Sequence, residues 1–120
     1  MKFTGLTPML WVKDIAQAVQ FYREVLGFEC VKQVEGWACM KRDKVEIMFS
    51  LPNAHEPHDP LQFTGSFYFR VDEVDALWNQ LKDQATVVYP IEDFPYGMRE
   101  FAIRDNTGYI LQFGREIGNR

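Results

Sequence analysis

Val12-Lys13-Asp14-Ile15-Ala16-Gln17-Ala18-Val19-Gln20-Phe21-Tyr22 is answered, 59 residues further on, by Val71-Asp72-Glu73-Val74-Asp75-Ala76-Leu77-Trp78-Asn79-Gln80-Leu81. Val12 falls on Val71, Ile15 on Val74, Ala18 on Leu77, Val19 on Trp78 and Tyr22 on Leu81. Every pair is apolar, and steps of three and four residues put them on one face of a helix. Asp14 stands at the N-cap position, and Gln17 completes a capping-box pattern. Asp72 or Glu73 takes that place in the second copy. In the first copy the apolar stripe runs on through Val25 and Leu26 to Gly27, a helix-stopping residue.

Outward from these two helices the pattern switches to strands. Leu6–Val12 reads as a strand with Pro8 marking an edge or bulge. Phe28–Val34, Trp37–Lys41 and Val45–Leu51 follow, separated by turns at Glu35-Gly36 and Arg42-Asp43. Pro52 to Gln62, with Pro52, Pro57 and Pro60, breaks the pattern and reads as a linker. The second half repeats the order: a strand at Gly65–Val71, the helix, then strands at Val87–Tyr89, Arg99–Arg104 and Tyr109–Gly114. Asp105-Asn106-Thr107-Gly108 is a strong turn signal. The chain is therefore expected to be α+β: two βαβββ modules forming curved mixed sheets. Module one covers about 5–51, the linker 52–64 and module two about 65–116, within one domain of 120 residues. A module of about 50 residues is too small to bury a good core alone, so the two are expected to share one, with a second chain completing the structure.

Composition bounds the partners. Aromatic residues make up 15% of the chain, more than a small core needs, so the surplus lines a cavity, lines a subunit interface or simply makes the core bulky. The net charge is −4 and basic residues are scattered, with Lys41-Arg42 among the short pairs. That pattern excludes the basic stripe of a nucleic-acid binder. No stretch nears the roughly 20 apolar residues of a membrane span, and Met1-Lys2-Phe3-Thr4-Gly5 opens no apolar signal segment. A cytoplasmic location follows as the expectation, with Cys30 and Cys39 reduced and buried.

Val12-Lys13-Asp14-Ile15 leading to Phe21-Tyr22-Arg23-Glu24-Val25-Leu26-Gly27-Phe28, together with Arg104-Asp105-Asn106-Thr107-Gly108-Tyr109, resembles the vicinal-oxygen-chelate superfamily, the glyoxalase/bleomycin-resistance/dioxygenase fold. Its penultimate turn is usually D-P-x-G-N; here Asn106 replaces the proline and Tyr109 the asparagine. The resemblance spans about residues 5–116 and is more specific to fold than to activity. It implies four inward positions that hold a divalent metal in most enzymes of the superfamily. They fall on Thr7, Met48, Ser66 and Gln112, with Thr7 and Ser66 again 59 apart. A thioether, two hydroxyls and an amide are a poor set for a hard or borderline cation, so neither metal nor other cofactor is expected. A register slip bringing in Glu46 would add one carboxylate, still a poor set.

Other chemistry is sparse. His55-Glu56-Pro57-His58-Asp59 holds both histidines, but its proline prevents a helix from aligning them, and a solvated loop is the expectation. Ser50 and Ser66 have no histidine partner on a structured element, neither cysteine stands at a helix N-terminus, and no glycine-rich phosphate loop occurs.

Within the superfamily the chain most resembles the bleomycin-resistance proteins, which are catalytically inert homodimers that sequester a glycopeptide drug. Thr7-Pro8-Met9-Leu10 resembles their opening strand, where the N-terminal arm crosses to the other subunit. Trp37 and Ser50 fall at groove positions. Pro95-Tyr96-Gly97-Met98-Arg99-Glu100-Phe101 resembles their P-W-G-x-E-F segment, with Tyr96 for tryptophan and one extra residue. The resemblance implies a homodimer and an aromatic, cationic small-molecule partner. Strand alternation puts Met48 and Ser50 on the groove side and Phe49 against a helix; Ser66, Tyr68 and Arg70 share a face, as do Ile110, Gln112 and Gly114. The expected ligand-binding residues are thus Trp37, Met48, Ser50, Ser66, Tyr68, Tyr96 and Gln112, with Glu92 and Asp93 available to attract a cationic tail. Two other readings stand beside this non-enzymatic one: a metal-dependent lyase, isomerase or dioxygenase of the same superfamily, and a scaffold or regulator whose groove is filled by its own side chains.

Overall fold

A computed structural model describes residues 1–52, 63 and 65–118. The linker residues 53–62, with His55 and His58, lie outside the described residues. The chain divides into two compact units, Met1–Leu61 and Gln62–Arg120.

The first unit contains β1 (Met9–Trp11), α1 (Ile15–Glu24), β2 (Glu29–Val34), β3 (Trp37–Arg42) and β4 (Val45–Ser50). Its sheet runs in the order β1-β4-β3-β2, with β1 parallel to β4 and the other pairs antiparallel. Asp14 caps α1 by accepting the Gln17 backbone N–H at 3.0 Å. Ile15, Ala18, Val19 and Tyr22 form the buried face. Tyr22 meets Phe49 edge-on at 4.8 Å and Phe28 at 5.6 Å, and each such burial is worth roughly 1.5–3 kcal/mol. The helix stops at Glu24, two residues before the end of the apolar stripe. Gly27 takes a φ of +71°, the Phe28 N–H returns to the Tyr22 carbonyl at 2.8 Å, and the Arg42 guanidinium donates to the Leu26 carbonyl at 2.6 Å. Strand β1 is shorter than expected because Pro8 has no N–H to donate; its carbonyl still accepts from Met48 at 2.9 Å.

The second unit contains β5 (Phe67–Arg70), α2 (Val74–Leu81), β6 (Thr86–Phe94), β7 (Met98–Arg104) and β8 (Ile110–Glu116). Its order, β5-β8-β7-β6, repeats that of the first unit, down to the register. Met9 pairs with Met48 and Tyr68 with Gln112; the Val12 N–H bonds Ser50 and the Val71 N–H bonds Gly114. Val74 and Leu81 are the buried residues of α2, whose Trp78 packs on Phe101 at 5.2 Å, with Phe113 and Phe69 continuing the stack. Both units are therefore α+β, each a helix covering one face of a mixed sheet.

Strand β6 runs well past Tyr89, and Pro90 lies inside it. The strand is at the sheet edge and its register shifts between Tyr89 and Glu92, so the missing proline N–H breaks no ladder. The turn after β8's predecessor is built by one side chain. Buried Asp105 accepts the backbone N–H groups of Thr107, Gly108 and Tyr109, all at 2.9 Å, and Gly108 supplies a φ of +110°. The Asn106 substitution leaves that arrangement intact because the aspartate holds the turn.

Candidate functional site

In each unit polar side chains stand on the sheet face away from the helix. In the first unit, register places Trp37 beside Ser50, Cys39 beside Met48 and Lys41 beside Glu46 on that face, with Met9 and Trp11 of β1 alongside. Phe49 and Ile47 face α1 and are fully buried. Both cysteines are free thiols; Cys39 is buried and Cys30 half-buried. Burial, then the neighbouring Glu46, pushes the Cys39 thiol up from its ordinary value, the opposite of an activated nucleophile.

The second unit's open face is a connected polar network. Gln112, at the centre of β8, accepts from the Ser66 hydroxyl through Oε1 and donates through Nε2 to the Tyr89 phenol oxygen at 2.7 Å and to Glu100 Oε2 at 3.2 Å. Tyr89 donates to Glu100 Oε2, and Tyr68 donates to Glu100 Oε1 at 3.0 Å. Glu100 is fully buried, while Tyr68 keeps 40% of its surface exposed. The ordinary strand geometry explains the convergence: Tyr68, Gln112, Ala102 and Tyr89 are register partners across β5, β8, β7 and β6, and Glu100 lies one same-face step along β7.

Tyr68 reaches Glu100 across β8 because Gly114 stands between them. A Cβ on Gly114 would overlap the phenol oxygen and come within 2.7 Å of its ring Cζ. Burial, followed by the hydrogen bond to Glu100 and its charge, pushes the Tyr68 phenol up to about 12. Burial also raises the Tyr89 phenol, with Glu100 adding to the effect against the Gln112 hydrogen bond. The same two causes raise Tyr96.

Tyr96 sits on the Pro95-Tyr96-Gly97 turn joining β6 to β7, where Gly97 has a φ of +86° and donates its N–H to Phe94. Its ring stacks on Phe94 at 5.4 Å, and Phe94 meets Tyr89 edge-on at 5.4 Å, so a row of three rings leads from the exposed turn to the network. Glu92 and Asp93 have different surroundings. The Arg99 guanidinium takes Asp93 at 3.1 Å and Asp75 of α2 at 2.8 Å, and holds the Asp75 carboxyl below its ordinary range. Glu92 instead lies opposite Glu100 in the β6–β7 register.

Residues 6–113 match the model of the glyoxalase/bleomycin resistance protein/dioxygenase superfamily. The chain belongs to that superfamily. Among solved structures it is similar to the bleomycin-binding protein of bleomycin-producing Streptomyces verticillus, determined with copper(II)-bleomycin. That match has 27% identity over 94% of this chain and 96% of the other, with a TM-score of 0.75. A glyoxalase/bleomycin resistance protein/dioxygenase from Nocardioides matches at 16% identity over 100% and 88%, TM-score 0.80. A lactoylglutathione lyase from Agrobacterium tumefaciens matches at 22% over 96% of each chain, TM-score 0.73. These last two likenesses are of fold alone. No curated protein matches the chain's sequence.

The four residues that the resemblance assigns to the superfamily's metal positions, Thr7, Met48, Ser66 and Gln112, are a donor set that does not fit a divalent cation. The two in the second unit are spent on each other, Ser66 donating to Gln112, and the Gln112 amide directs its N–H groups at Tyr89 and Glu100. The two in the first unit offer a hydroxyl and a thioether. Among the described residues no three His, Cys, Asp or Glu side chains come together as a metal site would need. Among them, too, no helix is long and apolar enough to cross a membrane.

Sequence reasoning picked out Ser66, Tyr68, Tyr96 and Gln112 and missed Glu100, Tyr89 and Gly114, the residues that join them. One signal was available: Glu100 is an acid on the threshold of the apolar run Phe101-Ala102-Ile103, where alternation turns it to the face opposite Phe101.

Proposed function

We propose that this chain is a metal-independent, non-catalytic binding protein that sequesters an aromatic cationic compound of the glycopeptide-antibiotic type. In this reading it acts as a homodimer with its grooves at the subunit interface. The observation that carries the reading is the open face of the second unit: aromatic rings around a buried carboxylate, with neither an activated nucleophile nor a metal-binding donor set. Flat heteroaromatic groups gain roughly 0.5–1.5 kcal/mol per aromatic face beyond burial, and Tyr68 and Tyr96 offer exposed faces. The first unit's open face supplies Trp37, with Met48 and Ser50 beside it. The similarity to a protein solved with copper(II)-bleomycin supports this class of ligand.

Isothermal titration with metal-free bleomycin and with its copper complex tests the reading. Saturable binding at one drug per chain is expected. No heat at high micromolar drug would sink it.

A further inference from the structure

Deep burial of a carboxylate normally requires a cation beside it, because phenol and amide donors satisfy its lone pairs without cancelling its charge. Glu100 is fully buried, and its partners are Tyr68, Tyr89 and Gln112. A second acid, Glu92, faces it across the β6–β7 ladder, an arrangement of like charges that costs stability. Among the described residues no Lys, Arg or His lies within 4.0 Å of either carboxylate. The basic residues sharing that face are engaged elsewhere: Arg70 with Glu116, and Arg104 with the Gly108 carbonyl.

We propose that Glu100, with Glu92 opposite it and the rings of Tyr68, Tyr89 and Tyr96 around it, is the subsite for a ligand's ammonium or guanidinium group. The proposal rests on the small-molecule-binding reading above and assigns the residues that read the ligand's charge. Tyr68 is its cover. The phenol lies over Gly114, where no side chain props it, and it is half-exposed at the mouth of the network. A ligand N–H takes over Glu100 Oε1 as the phenol turns away, exchanging a neutral donor for a charged one. Charge-assisted hydrogen bonds are about twice as strong as neutral ones, and the released ring face stays beside the cation, where cation–π attraction adds to the contact. Glu92, exposed on the same face, supplies longer-range attraction.

Two planar probes of one ring skeleton separate charge from stacking: cationic 9-aminoacridine and neutral acridone, titrated by fluorescence at physiological salt. The wild-type chain is expected to prefer the cation by about tenfold to a hundredfold, the worth of a hydrogen bond to a charged group. Glu100→Gln removes the preference by weakening 9-aminoacridine more than acridone, with a thermal melt confirming the fold. Tyr68→Phe, which deletes the competing phenol donor but keeps the ring, raises the preference. An absent preference in the wild type, or one that survives Glu100→Gln, overturns the proposal. Should Glu100→Gln fail to fold, Tyr68→Phe decides, and a fall in the preference overturns it. If bleomycin does not bind while the probes discriminate as stated, the drug reading falls and the subsite stands. If bleomycin binds and Glu100→Gln leaves the probe preference intact, the subsite falls alone.

Discussion

Gly114 leaves open the space through which Tyr68 crosses β8 to hydrogen-bond Glu100 on the far strand, β7. Any side chain on Gly114 meets the phenol, and at 3.1 Å it also crowds the Glu100 Cβ. Gly114→Ala is therefore expected to destabilise the protein by about 1–3 kcal/mol, the range of an overpacked site. Pairing it with Tyr68→Ala should recover most of that loss, since the clash then has no partner. Urea denaturation of the two single variants and the double variant measures the coupling, and strictly additive losses would contradict the stated contact.

The raised phenols predict a specific alkaline behaviour. Tyr68 ionises near 12 in the folded chain against about 10 in the unfolded chain, and Tyr89 is raised as well. A group with a raised folded pKa binds its proton more tightly in the native state. Its contribution is complete below about pH 10 and is lost as pH climbs toward 12. Ultraviolet titration at the phenolate band is expected to show delayed ionisation coinciding with alkaline unfolding. Tyrosines that all titrate near pH 10 in the folded protein would be inconsistent with the network.

Asp105 offers a test of the turn. One carboxylate oxygen takes three backbone N–H groups; the Gly108 N–H also bonds the Asp105 carbonyl at 3.1 Å, so Asp105→Ala strands the Thr107 and Tyr109 donors. A loss of about 3 kcal/mol is expected, at the upper end for removing a charged acceptor from buried donors. Asp105→Asn, which keeps one acceptor oxygen, should cost less than half as much. Thermal melts of the two variants rank them.

The donor set predicts indifference to chelators. Protein purified without chelator is expected to carry no stoichiometric zinc, manganese, iron, nickel or copper by elemental analysis. Ligand binding should be unchanged after dialysis against EDTA. One equivalent of bound metal per chain would favour an enzyme of the superfamily.

Phe49→Ala probes the first unit independently of the network. The Phe49 ring is fully buried against Tyr22, and its removal is expected to cost about 3–5 kcal/mol by chemical denaturation.

Much of the architecture is legible along the chain because the signals are local. Helix faces repeat every three or four residues, Asp14 caps within one turn, Gly27 ends the helix, and Asp105 folds the turn with its immediate neighbours. The 59-residue repeat doubles those signals, and period-two alternation correctly turns Met48 and Ser50 away from Phe49. Strand ends were less legible, since Pro90 is tolerated only because β6 is an edge, a property of sheet order.

By itself, then, the sequence determined the doubled βαβββ pattern, the helix faces, the Asp14 cap and the turns. Tertiary structure alone decided that Glu100 is the centre of the open face. Tyr68 is 32 residues before it and Tyr89 11 before it, on strands that the order β5-β8-β7-β6 places on either side of it. That proximity depends on cross-strand register and on the missing side chain at Gly114. Register is a relation between distant segments, and no local periodicity encodes it.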